Sequence, residues 1–299
     1  MTLAADGATR RGARAARPLD LTRPETVRAV ARRVGLHTSR RLGQHFLIDR
    51  TVLETIVAEL APALDSTVLE IGCGIGTLTG ELADAAGRVI ALDVDPACVR
   101  ATQITQRHRT NVQVVRADAR QLDPAEFGIS PPWLAAGNLP YRLTGKLLGH
   151  LFELTTPPAR GVFLVQREVA ARLSAGPGDW SAATLALRSI AAVTRVRDVP
   201  PAAFDPAPAV HSSVIRVEPV GGSLGEERRQ MLALARAVFQ QRRKTLRHGV
   251  THAMGGDAAA ALEALLRARI DPGLRPGTLG LDEWQQLARA VVAVEATRP

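Results

Sequence analysis

Apolar and polar positions along the middle of the chain repeat with two periods, and together they predict an α/β fold. Short apolar runs at 67–71, 88–92, 112–116, 132–137 and 161–166 are typical of strands buried in a parallel sheet. Between most of these runs lie longer segments whose apolar residues recur every three or four positions, as in helices. Repeated strand and helix units of this kind predict a doubly wound, mostly parallel sheet.

Helices are predicted on both sides of these strands and throughout the C-terminal part. They are expected at 24–34, 48–61, 77–85, 96–106, 143–154, 258–268 and 284–294. A further helix has an apolar face from Met231 to Val238, and we expect it to continue through 240–247 and to end before Gly249.

A last strand at 214–217 and the flexible segment Gly221-Gly222-Ser223 indicate a boundary between two domains. We expect a mobile basic arm over 1–24, an α/β domain over 25–222 and a small all-helical domain over 223–299.

Composition places the chain among globular proteins. Of its 299 residues, 46% are hydrophobic, and no apolar run reaches the length of a membrane span. The first residues lack an apolar signal-peptide core, so we expect a cytoplasmic protein without a membrane partner. Cys73 and Cys98 show neither metal-ligand spacing nor a disulfide framework, and no metal site is predicted.

The balance of charge favours a polyanionic partner. The formal net charge is +9, and the first 50 residues contain eleven arginines against four acidic residues. The alternative is that codon usage alone produces a composition rich in arginine and alanine.

Gly72-Cys73-Gly74-Ile75-Gly76 joins the first sheet strand to its helix, where glycines let a ligand approach the backbone. Its spacing departs from the G-x-G-x-x-G of dinucleotide enzymes and suits S-adenosylmethionine at least as well. Asp93 ends the second strand, about twenty residues on, where an acid can bind two ribose hydroxyls. Asp118 follows the third strand and can accept from the adenine amino group of the cofactor. Each acid taken alone also fits a surface charge or a helix cap.

Asn138-Leu139-Pro140-Tyr141 follows the fourth strand, at the edge where open α/β sheets place their chemistry. The Asn138 amide and the Pro140 carbonyl are acceptors that do not titrate, and Tyr141 offers a face on which a base can stack. Together they can hold an adenine by its exocyclic amine. Fixed acceptors draw this poor nucleophile towards tetrahedral geometry, so catalysis is mostly positioning. The alternative is a simple turn after a strand.

Phe204 lies among prolines, which make a stiff segment that fixes its ring. A flipped adenine can stack between this ring and Tyr141, and the alternative is that Phe204 is a core residue.

A basic cluster in the C-terminal part is the predicted RNA contact: Arg242, Arg243, Lys244 and Arg247. Arg243 and Arg247 would lie one helical turn apart and could straddle a phosphate backbone. The alternative is a solvated helix end, where the helix dipole favours positive charge.

Five motifs in order along the chain resemble those of the KsgA-type rRNA adenine dimethyltransferases. They are Gly43-Gln44-His45-Phe46-Leu47, Glu70-Ile71-Gly72-Cys73-Gly74-Ile75-Gly76, Asn138-Leu139-Pro140-Tyr141, Gln166-Arg167-Glu168-Val169-Ala170-Ala171-Arg172-Leu173 and Phe204-Asp205-Pro206-Ala207-Pro208. The resemblance implies a Rossmann-like class I methyltransferase with a seven-stranded sheet and a small C-terminal helical domain. It further implies a monomer that uses S-adenosylmethionine to dimethylate two adjacent adenosines near the 3′ end of small-subunit rRNA, within a ribosomal particle.

The resemblance also implies roles for individual residues. Gln44, His45 and Leu47 would close over the cofactor, and Asn138 would touch it while orienting the target amine. The methionine part would pass beside Gly72 and Gly74, the ribose would bind Asp93, and the adenine would bind Asp118.

Some positions depart from the family pattern and leave alternatives open. His45 stands where the family often has Asn, Cys73 replaces a usual Pro, Asp93 a usual Glu, and His211 a common Asp. In addition, Arg142-Leu143-Thr144 follows Tyr141 where Asn-Ile-Ser is usual. The alternatives are an Erm-type methyltransferase of large-subunit rRNA that gives macrolide resistance, a non-catalytic RNA-binding assembly factor, and a nicotinamide-dependent oxidoreductase.

Overall fold

A seven-stranded sheet forms the centre of the computed structural model, which describes residues 19–36, 45–140, 143–178, 180–221 and 225–297. The first elements are α1 (Pro24–Arg33), β1 (Phe46–Leu47), α2 (Arg50–Leu60), β2 (Thr67–Ile71), α3 (Thr77–Ala85), β3 (Arg88–Asp93), α4 (Pro96–Thr105), β4 (Val112–Arg116), β5 (Leu134–Asn138), α5 (Thr144–Glu153) and β6 (Arg160–Gln166). They are followed by α6 (Arg167–Ser174), α7 (Ala182–Arg188), β7 (Ala191–Val199), β8 (Phe204–Asp205), β9 (Ser212–Pro219), α8 (Glu226–Phe239), α9 (Leu246–Ala253), α10 (Ala258–Arg267) and α11 (Leu281–Ala296).

The strand order confirms the predicted fold class. The sheet runs β4-β3-β2-β5-β6-β9-β7, with β2 to β6 parallel and β9 antiparallel to both of its neighbours. Order reverses between β2 and β5, because β3 and β4 lie on one side of β2 while β5 and β6 lie on the other. Open α/β sheets bind ligands at such a switch point, beyond the carboxyl ends of the strands.

Gly137 allows β5 to run very close to β2. A Cβ atom at this position would lie 2.3 Å from the carbonyl oxygen of Ile71, so only glycine fits. The close approach continues one residue further, where a Cβ on Gly72 would lie 3.3 Å from the carbonyl oxygen of Asn138. The segment that follows β5 and the loop that follows β2 are therefore direct neighbours.

Asparagine and aspartate side chains fix the ends of several helices. Asp49 accepts from the backbone N–H of Thr51 at the start of α2, at 2.9 Å, and Asp95 accepts from Ala97 at the start of α4, at 2.8 Å. Asn111 donates to the carbonyl of Ala83 near the end of α3, at 2.8 Å. These bonds satisfy backbone groups that a helix leaves open at its ends.

The predicted helix through 240–247 is wrong. Helix α8 ends at Phe239, a turn follows, and α9 begins at Leu246 with Gly249 inside it. A Cβ on Gly249 would lie 2.7 Å from Cγ1 of Val238, because α8 and α9 cross at this point. The glycine therefore serves close helix packing and does not end a helix. Arg243 lies in the turn and Arg247 in α9, so they do not share one helix.

Helices α8 to α11 share one apolar cluster at the C-terminal end of the chain. Trp284 is fully buried in it and stacks on Phe239 with ring centroids 5.4 Å apart. Trp180 and Leu185, which precede the sheet's last strands, belong to the same cluster. The helical part thus packs on residues of the α/β part, and the domain boundary at 222/223 stays a prediction. Among the described helices, none combines the length and the apolarity that crossing a membrane requires.

Candidate active site

A cavity of about 1070 Å³ opens at the switch point, beyond the ends of β2, β3, β5 and β6. Its walls bring together eight of the residues predicted from the sequence: His45, Leu47, Gly72, Gly74, Asp93, Asp118, Asn138 and Pro140. The volume lies at the upper end of the range for small-molecule sites, which leaves room for a cofactor and part of a second ligand.

Positive φ angles shape the glycine loop along one wall. Gly72, Gly74 and Gly76 have φ values of 79°, 59° and 89°, a region that other residues rarely adopt. The ring of Phe46 lies over Gly74, where a Cβ would be 3.2 Å from the ring. The loop therefore presents bare backbone to the cavity, and Phe46 of β1, which also lines the cavity, packs against it.

Thr77 adds an unsatisfied polar group where this loop enters α3. Its Oγ1 atom is buried, has no hydrogen-bond partner in the described part of the chain, and belongs to a residue that lines the cavity. The first turn of α3 also presents backbone N–H groups that favour an anion. A ligand carboxylate would satisfy both the hydroxyl and the helix start.

Asp93 links the end of β3 to the glycine loop. Its Oδ2 accepts from the backbone N–H of Gly74 at 3.0 Å, and its Oδ1 accepts from the N–H of Asp95 at 2.9 Å. Burial raises the pKa of Asp93, and the backbone hydrogen bonds oppose this increase. Each carboxylate oxygen keeps a second lone pair, which suits the pair of ribose hydroxyls expected from the sequence.

Asp118 lies beside the cavity but is already engaged by Arg120. The Arg120 Nε atom donates to the two Asp118 oxygens at 3.0 and 2.9 Å, and this hydrogen bonding lowers the pKa of Asp118. The adenine amino group of a bound cofactor would therefore share the Asp118 carboxylate with the Arg120 guanidinium. Arg120 was not among the residues predicted from the sequence, although its position two residues after an acid favours such a local pair.

Glu70 is a buried acid for which no separate role was predicted from the sequence. It is 1% exposed, lines the cavity beneath the glycine loop, and accepts from Thr79 Oγ1 at 2.5 Å. Burial raises the pKa of Glu70 to about 8, with a smaller contribution in the same direction from Asp93. The sequence did contain a signal for such a role, because Glu70 is an acid inside an otherwise apolar strand that leads directly into a glycine loop.

Asn138 points its amide into the cavity with a defined orientation. Its Nδ2 donates to the backbone carbonyl of His45 at 2.9 Å. Within the described residues its Oδ1 has no hydrogen-bond partner, so the acceptor end of the amide is the one left for a ligand. This is the arrangement needed to accept a bond from an exocyclic amine.

The Pro140 carbonyl, the second predicted acceptor, is engaged at the start of α5. It accepts from the backbone N–H of Leu143 at 2.9 Å and from Oγ1 of Thr144 at 3.3 Å. A target amine would therefore compete with these two donors. Gln44 and Tyr141 lie outside the described residues, so their predicted roles stay predictions.

Phe204 does not reach the cavity. Its side chain is 3% exposed and packs in the apolar cluster that contains Leu47, Val52 and Val199. Phe204 pairs with Leu47 in the two-stranded β1–β8 sheet, which directs it to the core. In this structure the ring is not available for stacking, and the position fits the alternative of a core residue.

The predicted RNA contacts are all exposed. Arg242, Arg243 and Lys244 occupy the turn between α8 and α9, and Arg247 lies in the first turn of α9. In the part of the chain that the structure describes, none of the four has an acidic partner. Over the same residues, no group of three or more His, Cys, Asp or Glu could hold a metal ion. Cys73 and Cys98 are both buried and unbridged.

Taken together, the cavity fits S-adenosylmethionine. Thr77 and the start of α3 suit its carboxylate, and Asp93 suits its ribose.

Comparison with known proteins gives consistent relatives over most of the chain. A family model described as ribosomal RNA adenine dimethylase matches residues 35–288. The ribosomal RNA small subunit methyltransferase A of Rhodococcus opacus is 37% identical over 290 residues, which covers 92% of this chain and 94% of that protein. The protein of the same name from Dehalococcoides mccartyi is 36% identical over 259 residues, covering 84% and 88%.

Two solved structures show the same fold over most of the chain. A dimethyladenosine transferase from Plasmodium falciparum superposes with a TM-score of 0.69 at 22% identity, covering 84% of this chain and 98% of its own. The 23S rRNA methyltransferase ErmE superposes with a TM-score of 0.65 at 24% identity, covering 83% and 99%. At these identities the likeness establishes the fold.

The raised pKa of Glu70 predicts a specific pH dependence of stability. Between about pH 4.5 and 8 the folded state holds a proton that the unfolded state has lost, so this group lowers the free energy of unfolding as pH rises. The slope is at most about 1.4 kcal/mol per pH unit. We expect Glu70→Gln to remove this slope, which urea unfolding at pH 5 and pH 8 would measure.

Glu54→Gln, at an exposed position on α2, is the matched control and should keep the wild-type dependence. Parallel pH profiles for the wild type and Glu70→Gln would contradict the assignment of a neutral Glu70.

Proposed function

The chain belongs to the ribosomal RNA adenine dimethylases, and on this premise we propose that it dimethylates two adjacent adenosines near the 3′ end of small-subunit rRNA. It is an rRNA adenine dimethyltransferase that depends on S-adenosylmethionine. The small-subunit substrate is supported by the relatives at 36–37% identity, which are named for that subunit. We propose that it acts in the cytoplasm, as a monomer, on a partly assembled particle.

The proposal depends mainly on one observation, which is that Asn138 lies directly beside the glycine loop. Their backbones approach so closely that a Cβ on Gly72 would lie 3.3 Å from the Asn138 carbonyl oxygen. A cofactor bound along the loop and a nucleobase held by Asn138 would thus share one cavity. Catalysis by positioning requires that proximity.

Different residues around the glycine loop bind different parts of the cofactor. Gly72 and Gly74 present backbone to it, Asp93 binds its ribose, and Thr77 with the start of α3 binds its carboxylate. When bound, S-adenosylmethionine supplies an electrophilic methyl group on a positively charged sulfur. Asp118 is held by Arg120, and its remaining lone pairs accept from the adenine amino group of the cofactor.

Asn138 prepares the target nitrogen for attack. The lone pair of an exocyclic amine is delocalised into the purine ring, and the Asn138 Oδ1 draws one N–H bond out of the ring plane. The amide is neutral, so it performs this task without a proton transfer of its own. After transfer the nitrogen carries a positive charge and loses a proton to water.

The Pro140 carbonyl accepts the second N–H bond in this proposal. The N–H of Leu143 at 2.9 Å remains its partner, while the longer Thr144 bond at 3.3 Å gives way to the amine. Tyr141, the next residue, stacks on the base.

The basic cluster of the helical domain contacts the RNA backbone. Arg242, Arg243, Lys244 and Arg247 are exposed and lack acidic partners among the described residues, so their charges are available to phosphates. Such contacts orient an RNA without reading its sequence.

The test of the proposed substrate is methylation of purified ribosomal subunits that lack the modification. We expect transfer to the small subunit, with dimethylated adenosines mapped by mass spectrometry to neighbouring positions near the 3′ end. Transfer to the large subunit would identify an Erm-type enzyme instead, and RNA binding without transfer would identify an assembly factor.

Asn138→Ala should lower turnover about 100-fold or more, as the loss of one positioned hydrogen-bonding group does elsewhere, with cofactor affinity within about threefold of wild type. Single-turnover transfer and cofactor titration measure the two quantities. Asn138→Asp keeps an acceptor oxygen and should retain more activity than the alanine variant. Equal losses of turnover and cofactor affinity would mean that Asn138 only shapes the cavity.

Removal of the basic cluster should change the salt dependence of RNA binding. The slope of log affinity against log salt should become shallower by about 0.7–0.9 for each phosphate that a variant no longer neutralises. We expect this for Arg243→Ala and Arg247→Ala, measured by filter binding from low to moderate salt. Arg267→Ala is the control, because Arg267 pairs with Glu263 at 2.6 Å. An unchanged slope in the first two variants would show that Arg243 and Arg247 do not contact RNA phosphates.

A further inference from the structure

The orientation of the Asn138 amide depends on a single backbone group from elsewhere in the chain. A side-chain amide has one donor end and one acceptor end, and here the donor end is bonded to the His45 carbonyl at 2.9 Å. If that carbonyl moved away, rotation of the amide could present N–H groups to the target amine. Two donors facing each other cannot form the required bond.

The position of the His45 carbonyl is set by the two-residue strand β1, which pairs antiparallel with β8. The backbone N–H of Ile48 donates to Ala203 at 2.8 Å, and Nδ1 of His45 lies 2.8 Å from the carbonyl of Pro206, to which it donates. So short a strand pair is not stable alone and needs support from other elements.

Helix α1 supplies that support with an ion pair. Arg28 donates from Nε to Oδ2 of Asp205 at 2.9 Å and from Nη2 to Oδ1 at 2.8 Å. The Asp205 side chain is 14% exposed, so the bidentate pair closes over a carboxylate that is largely shielded from water. Asp205 belongs to β8 and pairs with Phe46 of β1.

The apolar face of α1 holds β1 from the other side. Val27 and Val30 belong to the same buried cluster as Phe46 and Ile75. Strand β1 is thus enclosed between α1, the glycine loop and β8, and the Arg28 pair joins the two outer elements.

We propose that the Arg28–Asp205 ion pair is a positioning element for transfer, which keeps the His45 carbonyl in place and so keeps Oδ1 of Asn138 facing the target amine. The inference rests on the proposed function, because it names a determinant of that same site. Neither side chain lines the cavity, so neither is a catalytic residue.

This role differs from global stabilisation. An ion pair whose arginine is 63% exposed adds little to the overall stability of a protein. Its effect is local, on the exact position of a strand pair that is only two residues long.

The test compares Arg28→Met, Asp205→Asn and the double variant with Arg32→Met. Arg32 is exposed on the same helix and has no ion pair among the described residues, so it is the matched control. The measurements are single-turnover transfer, cofactor and RNA affinities, the melting temperature, and hydrogen exchange at the Ile48 amide. We expect transfer to fall about tenfold in each single variant and no further in the double variant, since both changes break one interaction.

Cofactor and RNA affinities should stay within about twofold, and exchange at Ile48 should become faster. Arg28→Lys should recover part of the rate. The inference is overturned if Arg28→Met transfers as fast as Arg32→Met, if the double variant shows the product of the two single losses, or if the loss lies in RNA affinity. An inactive wild type would instead refute the proposed function.

Discussion

The contact between the backbones of β5 and β2 is the constraint on which the site depends. Because Gly137 has no side chain to collide with Ile71, the strands approach closely enough to set Asn138 beside Gly72. Strand pairing thus brings together the two parts of the proposed site, the glycine loop and Asn138. Groups placed by strands hold their positions better than groups on loops, which suits chemistry that consists mainly of orientation.

Charge is divided between the outside and the inside of the molecule. The chain carries a net charge of +9, which attracts a polyanionic substrate. The cavity instead contains Asp93 and Asp118, which suit a cationic cofactor. Burial raises the pKa of Glu70, another acid of the cavity wall, to about 8, so this side chain adds little negative charge near pH 7.

The parallel half of the fold could be predicted from sequence because its signals are local. The run 67–71, the helix 77–85 and the strand 112–116 were predicted with the bounds that the structure gives. Strand β7 was missed because an edge strand with Thr194, Arg195 and Arg197 has no apolar run. The helix end predicted before Gly249 was wrong because the sequence does not distinguish a glycine needed for close helix packing from a glycine that ends a helix. Arg28 and Asp205 meet across 177 positions, which no local pattern reveals.

The bonds that already occupy the Pro140 carbonyl bear on how the enzyme releases its product. Each methyl group that the nitrogen gains removes one N–H, so a dimethylated amine has nothing left to donate to Asn138 or Pro140. In the proposed mechanism the hydroxyl of Thr144 can then return to the Pro140 carbonyl beside the N–H of Leu143. The first transfer leaves one N–H for the two acceptors and the second leaves none, so completion of the second transfer would itself loosen the hold on the base.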